Sequence, residues 1–263
     1  MGIEELKQKN SFNINPSPEE MARKDEVLHK AYNDLVYFGR AFLPNDFLNK
    51  STSPSYHYDV SKKLISTKPG ERICIILPRG FGKSILSKSA ILHKLCFSGE
   101  DTQNFIAWVS EEQGQSIDHL KYIRHHLETN KTIKYYFGNM DGGSAGKRWT
   151  EKDLVTPKGD RIIAKGTSQR LRGRAEVDVR YTGIILDDFE SELNTRTPER
   201  RADIKRWVVS TIYPALEESP GKEGWIWLSG TIVHFDSFLQ MTYDGYNKAM
   251  EDNRSYPWQV FFK

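Results

Sequence analysis

The apolar run Ile73-Cys74-Ile75-Ile76 passes through Leu77-Pro78-Arg79-Gly80-Phe81-Gly82-Lys83-Ser84 into a helix-forming stretch. A short apolar run bounded by turn residues reads as a buried strand, and a glycine-rich turn ending in Gly-Lys-Ser ahead of a helix is suited to nucleotide phosphates. Glycines let backbone N–H groups curl around phosphate oxygens, and the lysine reaches the outer phosphates. The serine hydroxyl takes magnesium, and the helix N-terminus adds partial positive charge. The usual pattern G-x-x-x-x-G-K-[ST] places glycine where this chain has Leu77, so the loop is a variant. By itself it also fits a glycine-rich strand-to-helix turn with an incidental lysine, and the rest of the chain has to decide.

A length of 263 residues with 38% hydrophobic and 12% aromatic content supports one large α/β domain or two modest ones. The 38 basic and 35 acidic residues leave a net charge of +3, so overall charge does not mark a nucleic-acid binder and any basic surface must be local. Small basic groups such as Lys147-Arg148 recur along the chain and single out no DNA-contacting face. Cys74 in the apolar strand and Cys96 in the following helix suit a reduced compartment, with no disulfide expected. No apolar run approaches the roughly 20 residues of a membrane span, and residues 1–10 are too polar for a secretory leader. The expectation is work in the cytosol, without a membrane.

Residues 1–16 read as a mobile polar segment. Ser17-Pro18-Glu19-Glu20 then carries an N-cap serine, proline at the first helical position and a capping-box glutamate. Met21, Leu28, Ala31, Leu35 and Phe38 recur on one face, predicting a helix from 18 to about 42. A loop is expected over 45–54 and a second helix over 56–65. From residue 72 the chain alternates strand 72–77, helix 83–97, strand 104–110 and helix 113–128, the βαβα rhythm of a mainly parallel sheet. Two short strands around Pro157-Lys158-Gly159-Asp160 read as a hairpin inserted at the sheet edge. Gly183-Ile184-Ile185-Leu186 is a buried strand, Thr197-Pro198-Glu199 opens a helix to about 217, and Trp225-Ile226-Trp227-Leu228 is one more strand. The terminal Trp258-Gln259-Val260-Phe261-Phe262 is strand-like, as if the chain were truncated.

The strand at 184–186 runs into Asp187-Asp188-Phe189-Glu190, about a hundred residues after the phosphate loop. An apolar strand ending in acids fits a Walker B element, in which one carboxylate serves magnesium and a neighbour orients water toward the γ-phosphate. Asp187 fits the first role. Asp188 stands where the second acid usually follows, but Glu190 has the longer reach and the commoner residue type, so both are candidates. Arg170-Leu171-Arg172-Gly173-Arg174 forms a basic loop able to carry an arginine finger at Arg172, with Arg79 a rival from the phosphate loop itself; a solvated basic loop or a phosphate-backbone contact is the plainer alternative. Ser229 and Thr231 close the strand at 225–228, where a hydroxyl can sense the γ-phosphate through water or simply end a strand. His234 and Asp236 are too few for a metal site.

In order, these segments, together with Pro54-Ser55-Tyr56-His57 and Ser229-Gly230-Thr231-Ile232-Val233-His234-Phe235-Asp236-Ser237, resemble the ATPase domain of the large terminase subunit of tailed bacteriophages over residues 45–245. The resemblance implies an α/β P-loop NTPase, with a central mainly parallel sheet flanked by helices and an N-terminal helical lid region. It would comprise a polar segment and helix in 1–50, an ATPase domain in 51–250, and in 251–263 the start of a linker toward an absent nuclease domain. It further implies an ATP- and Mg2+-dependent motor that drives viral double-stranded DNA into a procapsid in the cytoplasm of an infected bacterial host. Its partners would be a portal protein and a small terminase subunit, and it would be a homo-oligomeric ring when assembled and a monomer as an isolated domain. By this likeness Pro78, Arg79, Gly80, Phe81, Gly82, Lys83 and Ser84 cradle nucleotide, Ser84 and Asp187 hold magnesium, Asp188 or Glu190 orients water, and Arg172 reaches a neighbour's γ-phosphate. Ser229 and Thr231 couple hydrolysis to movement. Tyr56-His57 falls where the family often has an adenine-reading glutamine, and His57 departs from it. A helicase or partition ATPase, and a non-catalytic nucleotide-binding module, are the competing readings.

Overall fold

The computed structural model describes residues 18–47, 53–99, 103–167, 169, 171 and 180–263. Helices α1 (Pro18–Asn33), α2 (Leu35–Phe42), α3 (Pro44–Phe47) and α4 (Ser55–Ile65) precede β1 (Arg72–Ile76) and α5 (Lys83–Phe97). Strand β2 (Phe105–Ser110) leads to α6 (Gln113–Thr129) and α7 (Lys131–Phe137), and β3 (Asp153–Val155) turns into β4 (Arg161–Gly166). After β5 (Gly183–Asp187) come α8 (Pro198–Trp207), a π-helical stretch (Val208–Ile212) and α9 (Tyr213–Ala215), then β6 (Trp225–Gly230), α10 (Phe238–Glu251) and β7 (Trp258–Phe262). The expected segment 1–16 and Arg170, Arg172, Gly173 and Arg174 lie outside the described residues.

The strands form one seven-stranded sheet in the order β3-β4-β2-β5-β6-β1-β7, parallel throughout except for the β3–β4 pair. Strands β2, β5 and β6 are buried along their whole length, which is why their sequences are continuous apolar runs instead of alternating ones. Period-2 geometry sends Ile73, Ile75, Trp108, Ile185 and Trp227 to one face, where they share a core with Leu35, Phe38, Phe42, Leu64, Leu86 and Leu120. Cys74, Ile76, Val109, Leu186 and Leu228 go to the other, against Val208, Ile212, Phe238 and Leu239. This is a mainly parallel sheet covered on both faces, the layer arrangement of an α/β fold. The N-terminal helices belong to the first core, and buried His93 of α5 meets the Ala31 and Tyr32 carbonyls at the end of α1 at 3.1 and 3.0 Å.

Several local expectations change. The helix expected over 18–42 breaks at Asp34, whose carboxylate accepts from the Val36 and Tyr37 amides and caps α2, because a short acidic side chain offers the backbone an alternative to helix continuation. Part of the expected 45–54 loop is the short helix α3. The helix from 198 stops being α-helical at Trp207. Pro214 lacks an amide and its ring crowds the preceding turn, and the chain widens so that the Tyr213 N–H reaches the Val208 carbonyl. Helices α7 and α10 add to the expected elements; Asn130 caps α7 through the Ile133 amide and ties it to the Phe42 carbonyl. The hairpin lies at the edge as expected, but its second strand pairs parallel with β2 and is integral to the sheet. Residues 251–263, read as the start of a linker, contribute β7, in register with β1 from Arg72–Trp258 to Ile76–Phe262. Both cysteines are buried free thiols. Among the described residues no helix is long and apolar enough to cross a membrane.

Candidate functional site

Strand register assembles the site. The β1–β6 pairing sets Ile76 beside Gly230, and the β5–β6 pairing sets Asp187 beside Ser229. The carboxyl ends of three adjacent parallel strands therefore finish side by side, on the rim where open α/β sheets bind ligands.

The loop between β1 and α5 shows why Leu77 can replace glycine. Leu77 is buried and continues the strand: its N–H donates to the Gly230 carbonyl at 3.2 Å, and its own carbonyl accepts from Lys83 Nζ at 2.8 Å and from Thr231 Oγ1 at 3.0 Å. The left-handed backbone falls on Gly80 and Gly82, both at φ +81°, where glycine is present and needed. Gly82 offers no side chain to cap α5, which leaves first-turn amides as donors for an anion. Lys83 is only 6% exposed, and its ammonium also donates to the Pro78 carbonyl at 3.2 Å and to Thr231 Oγ1 at 3.1 Å. Burial pushes its pKa down, while Asp188 and Asp187 push it back up. Pro78, Arg79, Gly80 and Phe81 form the exposed tip.

Tyr56 and His57 at the start of α4 brace that tip from outside. His57 Nε2 lies 3.0 Å from the Phe81 carbonyl, the Tyr56 hydroxyl donates to the same oxygen at 3.4 Å, and the Tyr56 and Phe81 rings stack at 5.8 Å. The geometry thus gives His57 a loop-bracing contact.

The acids of the β5 tip separate into three environments. Asp187 is 2% exposed; Ser229 donates its hydroxyl to Oδ1, His119 Nε2 lies 3.1 Å from Oδ2, and the Ser84 hydroxyl also bonds the carboxylate. Burial alone would raise its pKa, but these partners hold it below the usual aspartate value. Asp188 follows in left-handed backbone at φ +43°, its N–H donating to the Ser229 carbonyl at 2.9 Å, and its side chain is exposed on the rim. Crowding by the surrounding protein and then the charge of Asp187 raise its pKa, while Lys83 and Arg79 oppose the rise. Glu190 turns away to the second face, where Oε1 accepts from the Phe238 N–H at 2.6 Å and Oε2 from the Leu239 N–H at 2.9 Å. It caps α10 from a site 5% exposed, which corrects the expectation that it can orient water and leaves Asp188 as the second acid beside the loop.

Arg79 lies on the exposed tip, close enough for its charge to act on Asp188 and Lys83. The rival Arg172 lies outside the described residues; its neighbour Leu171 is buried and its carbonyl accepts from the Tyr181 hydroxyl. His234 and Asp236 are tied up locally: the Asp236 N–H donates to His234 Nδ1 at 3.0 Å, and the carboxylate pairs with Arg201 and Lys205. Ser84 and Asp187 present hard oxygen donors of net negative charge beside the phosphate loop, a set that fits Mg2+. His119 was missed, because it enters from α6, whose sequence carries only a helical pattern; the one available signal is that its helix follows the strand next to β5.

No family model matches this chain, and no curated protein does. Solved structures do. The crystal structure of the HK97 bacteriophage large terminase aligns at 13% identity over 88% of this chain and 43% of that one, with a TM-score of 0.50. The large terminase of a thermophilic bacteriophage aligns at 12% identity over 81% and 46%, with a TM-score of 0.40. The Phi-28 gp11 DNA packaging motor aligns at 12% identity over 77% and 58%, with a TM-score of 0.41. This chain thus spans less than half the length of the HK97 protein. It has the P-loop NTPase fold in the form found in the HK97 bacteriophage large terminase.

Proposed function

We propose that this chain is a Mg2+-dependent ATPase that powers the movement of viral double-stranded DNA into a procapsid. The observation that carries the enzymatic part is the meeting of Lys83, Ser84, Asp187 and Asp188 at the ends of β1 and β5. Lys83 and the first-turn amides of α5 bind the outer phosphates, and Ser84 and Asp187 hold the cation. Bound Mg2+ supplies charge neutralisation on the phosphate oxygens. Asp188 orients the attacking water: it is the exposed acid beside the phosphate loop, and its raised pKa makes it a better proton acceptor than an ordinary aspartate. Arg79, or Arg172 of an adjacent copy, supplies the positive charge that develops value only in the transition state. Thr231, bonded to both Lys83 and Leu77, links the phosphate loop to the segment that follows β6, and this is the route by which Ser229 and Thr231 couple hydrolysis to movement.

The packaging role rests on the ordered motifs together with the terminase-like fold. It brings with it ATP, a homo-oligomeric ring, a portal protein, a small terminase subunit and the cytoplasm of an infected bacterium. Phosphate release by the wild type and Lys83→Ala tests the catalytic reading: loss of at least about a hundredfold is expected, because charge stabilisation of the transferring phosphoryl group goes. Unchanged turnover overturns it. ATP-driven movement along duplex DNA without strand separation is expected; strand separation would favour a helicase.

A further inference from the structure

The carboxylate assigned to the cation is held by a residue outside every motif of the sequence. We propose that His119 is the positioning residue for Asp187, fixing the plane of that carboxylate for the divalent cation of the bound nucleotide; this rests on the reading of Asp187 as the metal-facing acid.

Asp187 is buried too deeply for bulk water to orient it, so its plane is set by the groups around it. Ser229 holds Oδ1 from the neighbouring strand and His119 Nε2 holds Oδ2 at 3.1 Å from the helix above. One donor on each oxygen removes rotation about the terminal torsion, which is otherwise broad for an aspartate. Ser84, the third partner, is itself assigned to the cation, so Ser229 and His119 are the two that can stay in place when a metal binds.

His119 is in turn placed with little freedom. Its ring lies 4.8 Å from that of Trp108 at an interplanar angle of 30°, and Trp108 is fully buried in β2, paired with Ile185 two residues before Asp187. The height of α6 above the sheet is fixed one turn earlier: the Ser116 hydroxyl donates to the Lys165 carbonyl at 2.7 Å and the Gln113 amide to the Ala164 carbonyl at 3.0 Å, both on β4. A capping box between Glu112 and Gln115 starts the helix at that point. Helix spacing then carries His119 over the tip of β5. Partners that hold a ligating carboxylate typically change metal affinity about 10–100-fold when removed.

The test compares His119→Gln, His119→Asn and His119→Leu with Asp187→Asn as the reference. Gln places an amide nitrogen at about the reach of Nε2, Asn stops short at the reach of Nδ1, and Leu fills space without a donor. The readout is the gain in affinity for a non-hydrolysable ATP analogue on replacing EDTA with Mn2+, alongside Tm. The Leu and Asn variants are expected to lose about 10–100-fold of that gain with metal-free binding intact, and Gln to keep it within a few-fold. If Leu lowers Tm, the Gln and Asn pair decides by itself. A full Mn2+ gain in the Asn variant, or equal losses in Gln and Asn, overturns the positioning role. An unaltered gain in Asp187→Asn overturns instead the assignment of Asp187 to the metal, and the proposal falls with it.

Discussion

On one face of the sheet, Asp187 meets Ser84 and His119 from the covering helices and sits beside the phosphate loop; on the other face, Glu190, three residues further on, ends against the Phe238 and Leu239 amides. Both are buried carboxylates with hydrogen-bond donors on each oxygen. Their partners differ in kind. Asp187 is held by side chains that can exchange one partner for a cation, whereas Glu190 is held by the backbone donors of a helix start, which have no other acceptor in the helix. Asp188, between them, is the acid left exposed. The lesson is that the job of an acid after a buried strand is set by which face it reaches and by which donors wait there.

Four measurements test the contrast between the two faces. Asp188→Asn should lower ATP turnover by about 10²–10⁴-fold with Tm unchanged, while Glu190→Gln keeps turnover within about threefold; equal losses in both would end the distinction. Glu190→Ala should cost about 0.5–2 kcal/mol of stability through the lost cap, read as a fall in Tm of a few degrees with activity per folded molecule retained. Thr231→Val removes the acceptor for Lys83 and the donor to Leu77, and about 1 kcal/mol should appear as roughly fivefold weaker nucleotide binding by calorimetry. The smallest effect is on pH dependence. Burial raises the Glu190 pKa above 4.5, against the pull of the Leu239 and Phe238 amides. The folded state then binds its proton more tightly than the unfolded state, so this group's contribution is complete below pH 4.5 and is lost as pH rises through the folded value. Glu190→Gln should therefore lose less stability than wild type between about pH 4.5 and 7 in urea titrations; parallel curves would show that the cap carries no such penalty.

Much of the architecture is legible in the sequence because it is locally encoded. The runs at 73–76, 184–186 and 225–228 are continuous apolar segments, as strands buried on both faces require, and Thr197-Pro198 starts α8 where capping chemistry places it. Breaks were less legible. Asp34 splits a stretch whose hydrophobic spacing runs on unbroken, because a cap competes with the helix through one side chain that the spacing does not register. Helix α10 was missed since part of its N-terminal capping comes from Glu190, 48 residues away from Phe238. Within the site, Lys83, Ser84 and Asp187 come together at the ends of β1 and β5, whereas the choice between Asp188 and Glu190 is invisible in the sequence: both follow the same strand, and only the packing of α10 decides which one is consumed.

Local sequence encodes the strand–loop–helix that places Lys83, the two glycines that supply the left-handed turns, and the acidic end of β5, because each depends on neighbours within a few residues. Long-range packing makes Leu77 a continuation of the strand that needs no glycine, makes Glu190 a helix cap, and brings His119 to Asp187 from α6. Those outcomes depend on strand register and on the height of helices above the sheet, which are settled by burial and hydrogen bonding between segments tens of residues apart.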